Sequence, residues 1–223
     1  VVITGEGGTF VVGADINKVQ NVNTREAGET LTGRAHEIMN LIEFSPKPMI
    51  AAINGLCLGG GTELALACHI RFISDQAQMG LPEVMLGVMP GFGGTQRAAR
   101  VLGKARAMEI MLSGKFLPAA ECDRIGLVNR VIAHANLLEE AMKFAKDLSF
   151  KGGVVMGAII EAVTKGVDLP FEEGLKLESR LFGKLAETEI KRRVSRHFWK
   201  RESPFSRANN GAGMNAAPGV LGD

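Results

Sequence analysis

A single carboxylate, Glu63, interrupts an apolar run of twenty residues from Met49 to Cys68. Three glycines precede it in the stretch CLGGGTELALAC. Glycine has no Cβ, so the backbone can approach a ligand closely, and a helix that begins there directs N–H groups and a positive dipole end at that ligand. The pattern predicts a buried strand, a glycine turn and a helix. The run is also long enough to span a membrane, but its glycines and its central carboxylate argue against that alternative.

Two further segments carry residues of matching chemistry. FVVGADI places Ala14 in a glycine turn, and GLPEVMLGVMPGFGGTQR places Glu83 after a proline and before a glycine-rich bend. Backbone N–H groups from the Ala14 turn and from the Gly60 region can converge on one carbonyl oxygen and stabilise an enolate. Glu63 and Glu83 near that oxygen can then relay protons to and from carbon and water. A shared, partly apolar setting would raise the pKa of at least one of them.

Both acids also have a purely structural interpretation. Each lies where the first turn of a helix is expected, and the helix dipole favours acids there whatever their function. A glycine triplet by itself most often marks only a turn. Residue types alone therefore leave catalysis and helix stabilisation open.

The surrounding pattern predicts an α/β body followed by helices. VVIT and MIAAING predict strands, helical spacing predicts a helix at about 29–44, and GGTQRAARVLG predicts another with Thr95 near its cap. From residue 135 the pattern is helical throughout. The helices there are predicted at about 135–149, 153–165, 171–186 and 188–200. We expect three parts: an α/β core at 1–133, a helical region at 134–205, and a small, Gly-rich, disordered tail at 206–223.

Composition and missing motifs narrow the classes of function. The net charge is +2, from 26 basic and 24 acidic residues, which indicates no general affinity for nucleic acid or membrane. Three cysteines without a C-x-x-C spacing predict neither a disulfide framework nor a thiolate metal site and fit a reducing compartment. There is no P-loop, G-x-S-x-G or H-E-x-x-H motif, and four dispersed histidines predict no metal centre.

The spacing of the motifs resembles that of a known family. AAINGLCLGGGTELALACHIRF followed by GLPEVMLGVMPGFGGTQR resembles the enoyl-CoA hydratase/isomerase (crotonase) family, and TGEGGTFVVGADI resembles its first oxyanion segment. The resemblance extends from residue 1 to about residue 205. It implies a ClpP-like spiral of β-β-α units with a C-terminal helical region. Because a strand–helix unit precedes VVITG in the family, we expect the N-terminal unit to be missing from this sequence.

The resemblance assigns roles to the four residues singled out above. Ala14 and Gly60 match the residues whose N–H groups form the family's oxyanion hole. Glu63 and Glu83 match the two glutamates of members that add water to trans-2-enoyl-CoA thioesters. In those members the glutamate at Glu63 helps to activate water, and the one at Glu83 gives a proton to the α-carbon. Members specialised as double-bond isomerases usually lack one of the pair, so both together favour a hydratase.

Four further residues match substrate-binding positions of the family. Asp15, Ile16 and Asn17 fall where its loop holds the adenine end of coenzyme A. Gly91 lies in the bend beside Glu83, where a backbone N–H is expected to help order the site.

The resemblance also implies partners and setting. The substrate is an acyl-CoA thioester, and no metal or redox cofactor is expected, since coenzyme A arrives as part of the substrate. Homotrimers, commonly paired into hexamers, and the cytoplasm or the mitochondrial matrix are expected. The alternatives are a Δ3-Δ2-enoyl-CoA isomerase, another acyl-CoA activity on the same site, or the hydratase part of a larger β-oxidation enzyme.

A basic stretch at 191–201, KRRVSRHFWKR, departs from the family pattern, which has an acid–glycine pair where Lys191 to Arg193 stand. It leaves open an RNA-binding or partner-binding protein without catalysis. Only Phe198 and Trp199 interleave aromatic rings with the charges, so a solvated helix face, or contacts to coenzyme A phosphates from a neighbouring subunit, is favoured over nucleic-acid binding. A binding module would tolerate the loss of either glutamate.

Overall fold

Eight short strands form two sheets in the computed structural model, which describes residues 1–15 and 19–188. The strands are Val2–Thr4 (β1), Thr9–Val11 (β2), Ile50–Ile53 (β3), Leu56–Leu58 (β4), Ile70–Ser74 (β5), Gln78–Gly80 (β6), Phe116–Pro118 (β7) and Arg130–Ile132 (β8). One sheet has the order β1-β3-β5-β8 and is parallel throughout. The other has the order β2-β4-β6-β7, and β7 alone is antiparallel to its neighbour.

Eight helices lie among and after the strands in the described residues. They are Arg25–Glu43 (α1), Gly60–Ala67 (α2), Gly94–Leu102 (α3), Lys104–Ser113 (α4), Ala119–Arg124 (α5), Leu137–Ser149 (α6), Gly153–Gly166 (α7) and Phe171–Ala186 (α8), with 3₁₀ turns at Pro82–Leu86 and His134–Asn136. Each of the first three strand pairs sends one strand to each sheet, and helical structure follows the pair. This repeated β-β-α path is the spiral that the resemblance predicts.

Contacts group residues 1–178 into one unit and residues 179–223 into another. Helix α8 begins in the first unit and continues into the second. The structure describes residues 179–188 of the second unit, which are the last part of α8 and the two residues after it.

The central strand β3 is buried on both faces, which explains its uninterrupted apolar sequence IAAI. Ile50 and Ala52 face a small cluster formed with Phe72 and with residues of α6. Ala51 and Ile53 face the larger core. The alternation follows from the two-residue period of a strand.

One helix begins away from its predicted start and another begins where its cap was expected. Helix α1 begins four residues before its predicted start, because the Thr24 side chain caps it by accepting from the Ala27 N–H at 3.2 Å. Thr95, predicted near the cap of α3, is the second residue of that helix; the cap itself is Gly93, whose φ of +101° suits glycine, and the Thr95 hydroxyl accepts from the Gln96 side chain. The predicted helix at 188–200 and the predicted tail at 206–223 lie outside the described residues. In the described part of the chain, no helix is long and apolar enough to cross a membrane.

Candidate active site

The glycine triplet brings the start of α2 directly onto strand β2. Gly59 caps the helix with a φ of +54°, and a Cβ on Gly61 would collide with the carbonyl oxygen of Val11. The buried hydroxyl of Thr62 lies 2.7 Å from the Cys57 carbonyl oxygen and so ties the helix to β4. The first turn of α2 is therefore fixed against β2 and β4.

The turn around Ala14 lies against that helix start. The Gly13 Cα is 3.5 Å from the position of a Cβ on Gly60, and Gly13 has a φ of +100°. Ala14 follows and is half-buried. The N–H of Gly60 belongs to the first residue of α2, so no carbonyl within that helix can accept from it. The turn at Ala14 and the start of α2 at Gly60 are thus adjacent, and these are the two segments that the sequence predicts to supply N–H donors.

Glu63 is buried, with 1% of the residue exposed, and its carboxylate is held by backbone N–H groups. Its Oε1 accepts from the N–H of Phe92 at 2.8 Å and from that of Gly94 at 2.7 Å. Burial raises the pKa of Glu63; the two N–H groups, then the positive charge of Arg97 and then His36, oppose that rise. The result is a desolvated carboxylate in one fixed orientation.

Glu83 lies on the other side of the glycine turn and is held much less tightly. Its Oε1 is 3.0 Å from the position of a Cβ on Gly59, so a side chain there would press on the carboxylate. Its Oε2 is buried and has no hydrogen-bond partner among the described residues. Burial raises the pKa of Glu83 to about 7; the backbone N–H of Glu83 opposes the rise, and the charge of Glu63 adds to it. A carboxyl group of this kind is part protonated at neutral pH.

The structure therefore brings Glu63 and Glu83 to the two sides of the Gly59–Gly60 turn, with the Ala14 turn beside it. The Phe92 ring closes the site, since its Cδ2 is 3.2 Å from the position of a Cβ on Gly60. A partly protonated carboxyl, a fixed carboxylate and outward N–H groups form a set that can move protons beside a stabilised oxyanion.

The remaining predicted residues have different positions. Gly91 lies in the bend, where a Cβ would come within 3.0 Å of the Thr32 side chain, while the N–H groups that reach Glu63 are those of the residues at 92 and 94. The role given to Gly91 stays a prediction. Asp15 is exposed and its carbonyl oxygen accepts from the Val19 N–H. Ile16 and Asn17 lie outside the described residues, as does the basic stretch at 191–201.

Sequence reasoning missed four contributors to the site. They are the N–H groups of Phe92 and Gly94 and the charged or polar side chains of Arg97 and His36. The glycines of GFGGTQR were a usable signal for the first two, because a backbone that must approach a side chain closely requires glycine. Arg97 and His36 act on Glu63 from other parts of the fold, and a single sequence contains no signal for such long-range interactions.

His69 and His134 have structural positions, and no group of metal-ligating side chains occurs in residues 1–15 and 19–188. The Nδ1 of His69 accepts from the Met49 N–H, so its Nε2 carries the proton and donates to the Glu43 carbonyl oxygen at 2.9 Å. His134 lies 3.0 Å from the Ser74 hydroxyl, where it joins the ends of β5 and β8.

Comparison with known proteins gives one consistent family. The family described as enoyl-CoA hydratase/isomerase matches residues 1–208. The chain is 43% identical over 192 residues to a probable enoyl-CoA hydratase of Rhizobium meliloti (strain 1021), covering 85% of this chain and 72% of that protein. It is 38% identical over 207 residues to a crotonyl-CoA hydratase of Syntrophomonas wolfei, covering 92% of this chain and 79% of that protein.

Solved structures agree with this result. The crystal structure of an enoyl-CoA hydratase from Bacillus anthracis superposes with a TM-score of 0.83 at 34% identity, over 90% of this chain and 78% of that one. Sequence motifs, strand topology and the position of two carboxylates thus agree with the comparisons: the chain belongs to the enoyl-CoA hydratase/isomerase, or crotonase, family.

Proposed function

We propose that the chain is an enoyl-CoA hydratase that adds water reversibly to a trans-2-enoyl-CoA thioester and forms a 3-hydroxyacyl-CoA, with Glu63 and Glu83 as its catalytic residues. One observation carries the assignment of the site. Two desolvated carboxyl groups flank a single glycine turn, and one is fixed by N–H donors while the other has a buried oxygen without a partner. Hydration requires two such groups, since oxygen is added at one carbon and a proton at the next.

The thioester carbonyl oxygen is assigned to the N–H groups of Ala14 and Gly60. Removal of the double bond between C2 and C3 by attack at C3 places negative charge on this oxygen, as an enolate. Preorganised N–H donors stabilise such charge more than they stabilise the neutral carbonyl, which is what accelerates the step. The contact between the Gly13 Cα and the Gly60 position supports the convergence of the two donors.

The hydration step then balances as follows. A water oxygen forms a bond to C3 while the carboxylate of Glu63 accepts a proton from that water. The π electrons move to C2 and the thioester oxygen, and the carboxyl group of Glu83 gives its proton to C2. The product has hydroxyl at C3 and hydrogen at C2. Glu63 then releases its proton to solvent and Glu83 takes one up, which restores the starting state, and dehydration runs through the same steps in reverse.

The two environments decide which carboxyl group has which role. Both hydrogen bonds found for the Glu63 carboxylate in the described part of the chain go to Oε1, which leaves Oε2 to bind the attacking water. Glu83 has a pKa raised to about 7, so it carries a proton in much of the protein at neutral pH. A general acid works best with a pKa near the working pH.

The substrate and cofactor assignments complete this proposal. Asp15, Ile16 and Asn17 are proposed to hold the adenine end of coenzyme A, and Gly91 to help order the bend. The reaction exchanges no electrons, and the two carboxyl groups and the N–H donors handle the protons and charge. Turnover that survives a chelator without loss would support a reaction without a metal cofactor.

Assembly and location are also proposals. From the resemblance to the family we expect a homotrimer or a dimer of trimers. An intermolecular contact is supported by helix α7, which has no buried residue and exposes Val154, Ile159 and Val163 by 54% to 59%. Light scattering after size-exclusion chromatography measures the mass of the assembly and so tests this oligomeric state. The three buried free cysteines fit the reducing conditions of the cytoplasm or of the mitochondrial matrix.

Turnover of crotonyl-CoA and of longer trans-2-enoyl-CoAs, followed by loss of the enoyl-thioester absorbance, tests the function. We expect hydration by the wild-type protein and its near loss in Glu63→Gln and in Glu83→Gln, with Glu37→Gln at an exposed position of α1 as the matched control. Full turnover in either site variant would contradict the two-carboxylate mechanism. Conversion of a 3-enoyl-CoA without hydration would indicate the isomerase instead, and salt-sensitive RNA binding unaffected by either variant would indicate a binding protein.

A further inference from the structure

A buried arginine lies behind the bend that holds Glu63, at the side away from the glycine turn. The side chain of Arg97 in α3 is only 10% exposed. Its Nη1 donates to the Phe92 carbonyl oxygen at 3.2 Å, on the residue whose own N–H donates to Glu63. A Cβ on Gly93 would collide with the same nitrogen. The guanidinium therefore covers the outer side of the bend while the carboxylate occupies its inner side.

The other nitrogens of Arg97 reach helix α1. Its Nε lies 2.9 Å and its Nη2 2.7 Å from Glu43 Oε2, and Nη2 also donates to the Asn40 side-chain oxygen at 2.8 Å. Glu43 is the last residue of α1, and its carbonyl oxygen is held in turn by His69, just beyond the end of α2. The anchor on α1 is therefore fixed independently of the bend.

We propose that Arg97 is a positioning residue for hydration: its guanidinium fixes the bend at 92–94 to α1 through Glu43 and Asn40, and so sets where the N–H groups of the bend hold Glu63 Oε1. The expected change in kcat rests on the proposed function, whereas the positioning of Glu63 by the bend does not. Arg97 touches neither the carboxylate nor the expected position of the substrate in any described contact, and it acts through the backbone.

Geometry explains why an arginine is used here. Three separate nitrogens make the contacts to the bend, to a carboxylate and to an amide oxygen, in the planar fork of one guanidinium. Lysine carries the same charge on one nitrogen and cannot span these acceptors. The position of Glu63 depends on the bend, and a displacement of about 1 Å in a reacting group costs up to a hundredfold in rate.

The charges around Glu63 make a second readout available. Arg97 on α3 and His36 on α1 lower the pKa of Glu63, whereas its burial raises it, and Glu83 on the 3₁₀ turn faces the same turn with a like charge. Strands β2 and β4 carry no charged residue. Loss of Arg97 therefore raises the pKa of Glu63, and the pH profile should move with it.

Three variants and a matched control test the inference. Arg97→Met removes the fork, Arg97→Lys keeps the charge, and Glu43→Gln weakens only the anchor. Arg100→Met serves as the control, because Arg100 lies one turn further along α3 and pairs with Asp168 at 2.7 Å on the half-exposed surface. Each is assayed for kcat and KM with crotonyl-CoA, for its pH profile, and for the Gly94 amide resonance in deuterated protein.

We expect Arg97→Met to lower kcat about 10- to 100-fold with KM within about twofold. Arg97→Lys should restore less than half of the decrease in log kcat that Arg97→Met causes. Glu43→Gln should lower kcat about threefold to tenfold. The Gly94 amide proton should move upfield in all three, toward its position in Glu63→Gln. Arg100→Met should match the wild type.

The inference is overturned if Arg97→Lys and Glu43→Gln keep kcat within twofold and leave the Gly94 resonance unmoved. Should Arg97→Met fail to fold, those two variants decide the question alone. A wild-type protein that does not hydrate crotonyl-CoA contradicts the proposed function, while the amide resonance still tests the positioning.

Discussion

Glu63 and Glu83 are chemically identical side chains in opposite surroundings. Glu63 is in the first turn of α2, between strands, and two N–H donors fix one of its oxygens. Glu83 is on a 3₁₀ turn without buried residues, and its buried Oε2 has no partner among the described residues. Burial raises the pKa of both. At Glu63 two backbone donors and nearby cations oppose the rise, whereas at Glu83 only its own backbone N–H opposes it and the charge of Glu63 adds to it. The difference shows how one reaction can use the same residue type as base and as acid.

The largest expected effect comes from removing either carboxylate. We expect Glu63→Gln and Glu83→Gln each to lower kcat for hydration by about 10²- to 10⁴-fold, the usual contribution of one general acid or base. The glutamine at 63 can still accept from both N–H groups, so that variant should fold. Because the two groups serve one step, the double variant should lose far less than the product of the single losses. Independent, multiplying losses would show that they act in separate steps.

The fixation of Glu63 can be disturbed without touching a charge. A Cβ at Gly94 would lie 2.8 Å from Glu63 Oε1 and 3.0 Å from its Cγ, with no unusual φ at that residue. Gly94→Ala should therefore displace the carboxylate and lower kcat about 10- to 100-fold.

Gly33→Ala is the control for that variant. Gly33 lies inside α1, where a Cβ meets nothing within 4 Å, so it should keep full activity and gain slightly in stability. Equal activity in Gly94→Ala and Gly33→Ala would show that the N–H clamp on Glu63 is unimportant.

Sequence patterns anticipated much of this molecule but not the difference between the two acids. The apolar run of β3 and the glycine triplet predicted a strand, a turn and a helix with an acid in its first turn, because each is a local property. The motifs predicted the family, and the comparisons confirm it. The two N–H donors that hold Glu63 lie 29 and 31 residues away in the sequence and belong to the backbone, so no side-chain type marks them. The unpartnered oxygen of Glu83 is a property of packing alone.

The pH dependence should be the same in both directions of the reaction, because the addition of water exchanges no net proton and the ratio of the two kcat/KM values is therefore independent of pH. Hydration requires protonated Glu83, whose pKa is raised to about 7 by burial and by the charge of Glu63. In hydration, kcat/KM should fall roughly tenfold per pH unit above about 7. In dehydration, the proton starts on Glu63 and Glu83 is ionised, which is the same number of protons on the pair, so kcat/KM should fall in parallel. Initial rates in both directions between pH 5 and 9 measure this, and a hydration profile without a fall above about pH 7 would assign the proton to another group.

The smallest expected effect is on stability. The folded-state pKa of Glu83 lies above its ordinary value of 4.5, so the folded protein binds the proton more tightly than the unfolded chain does. Stability due to this group is therefore present below about pH 4.5 and is lost as the pH rises through about 7. Allowing for solvent screening of a half-buried group, Glu83→Gln should raise the free energy of unfolding at pH 8 by about 2 kcal/mol.

Denaturant unfolding at pH 5 and pH 8 checks this, with Glu37→Gln as the exposed control. The stabilisation by Glu83→Gln should be larger at the higher pH. A gain that is the same at both pH values would contradict ionisation as its cause.

The most direct test is an NMR titration of the carboxyl carbon of Glu83 in the wild-type protein and in Glu63→Gln. The surroundings of the two acids predict a midpoint near 7 in the wild type and a lower one in the variant, because the like charge is gone while burial remains. An ordinary midpoint near 4.5 in the wild type, unchanged by the variant, would contradict the assignment of Glu83 as the proton donor.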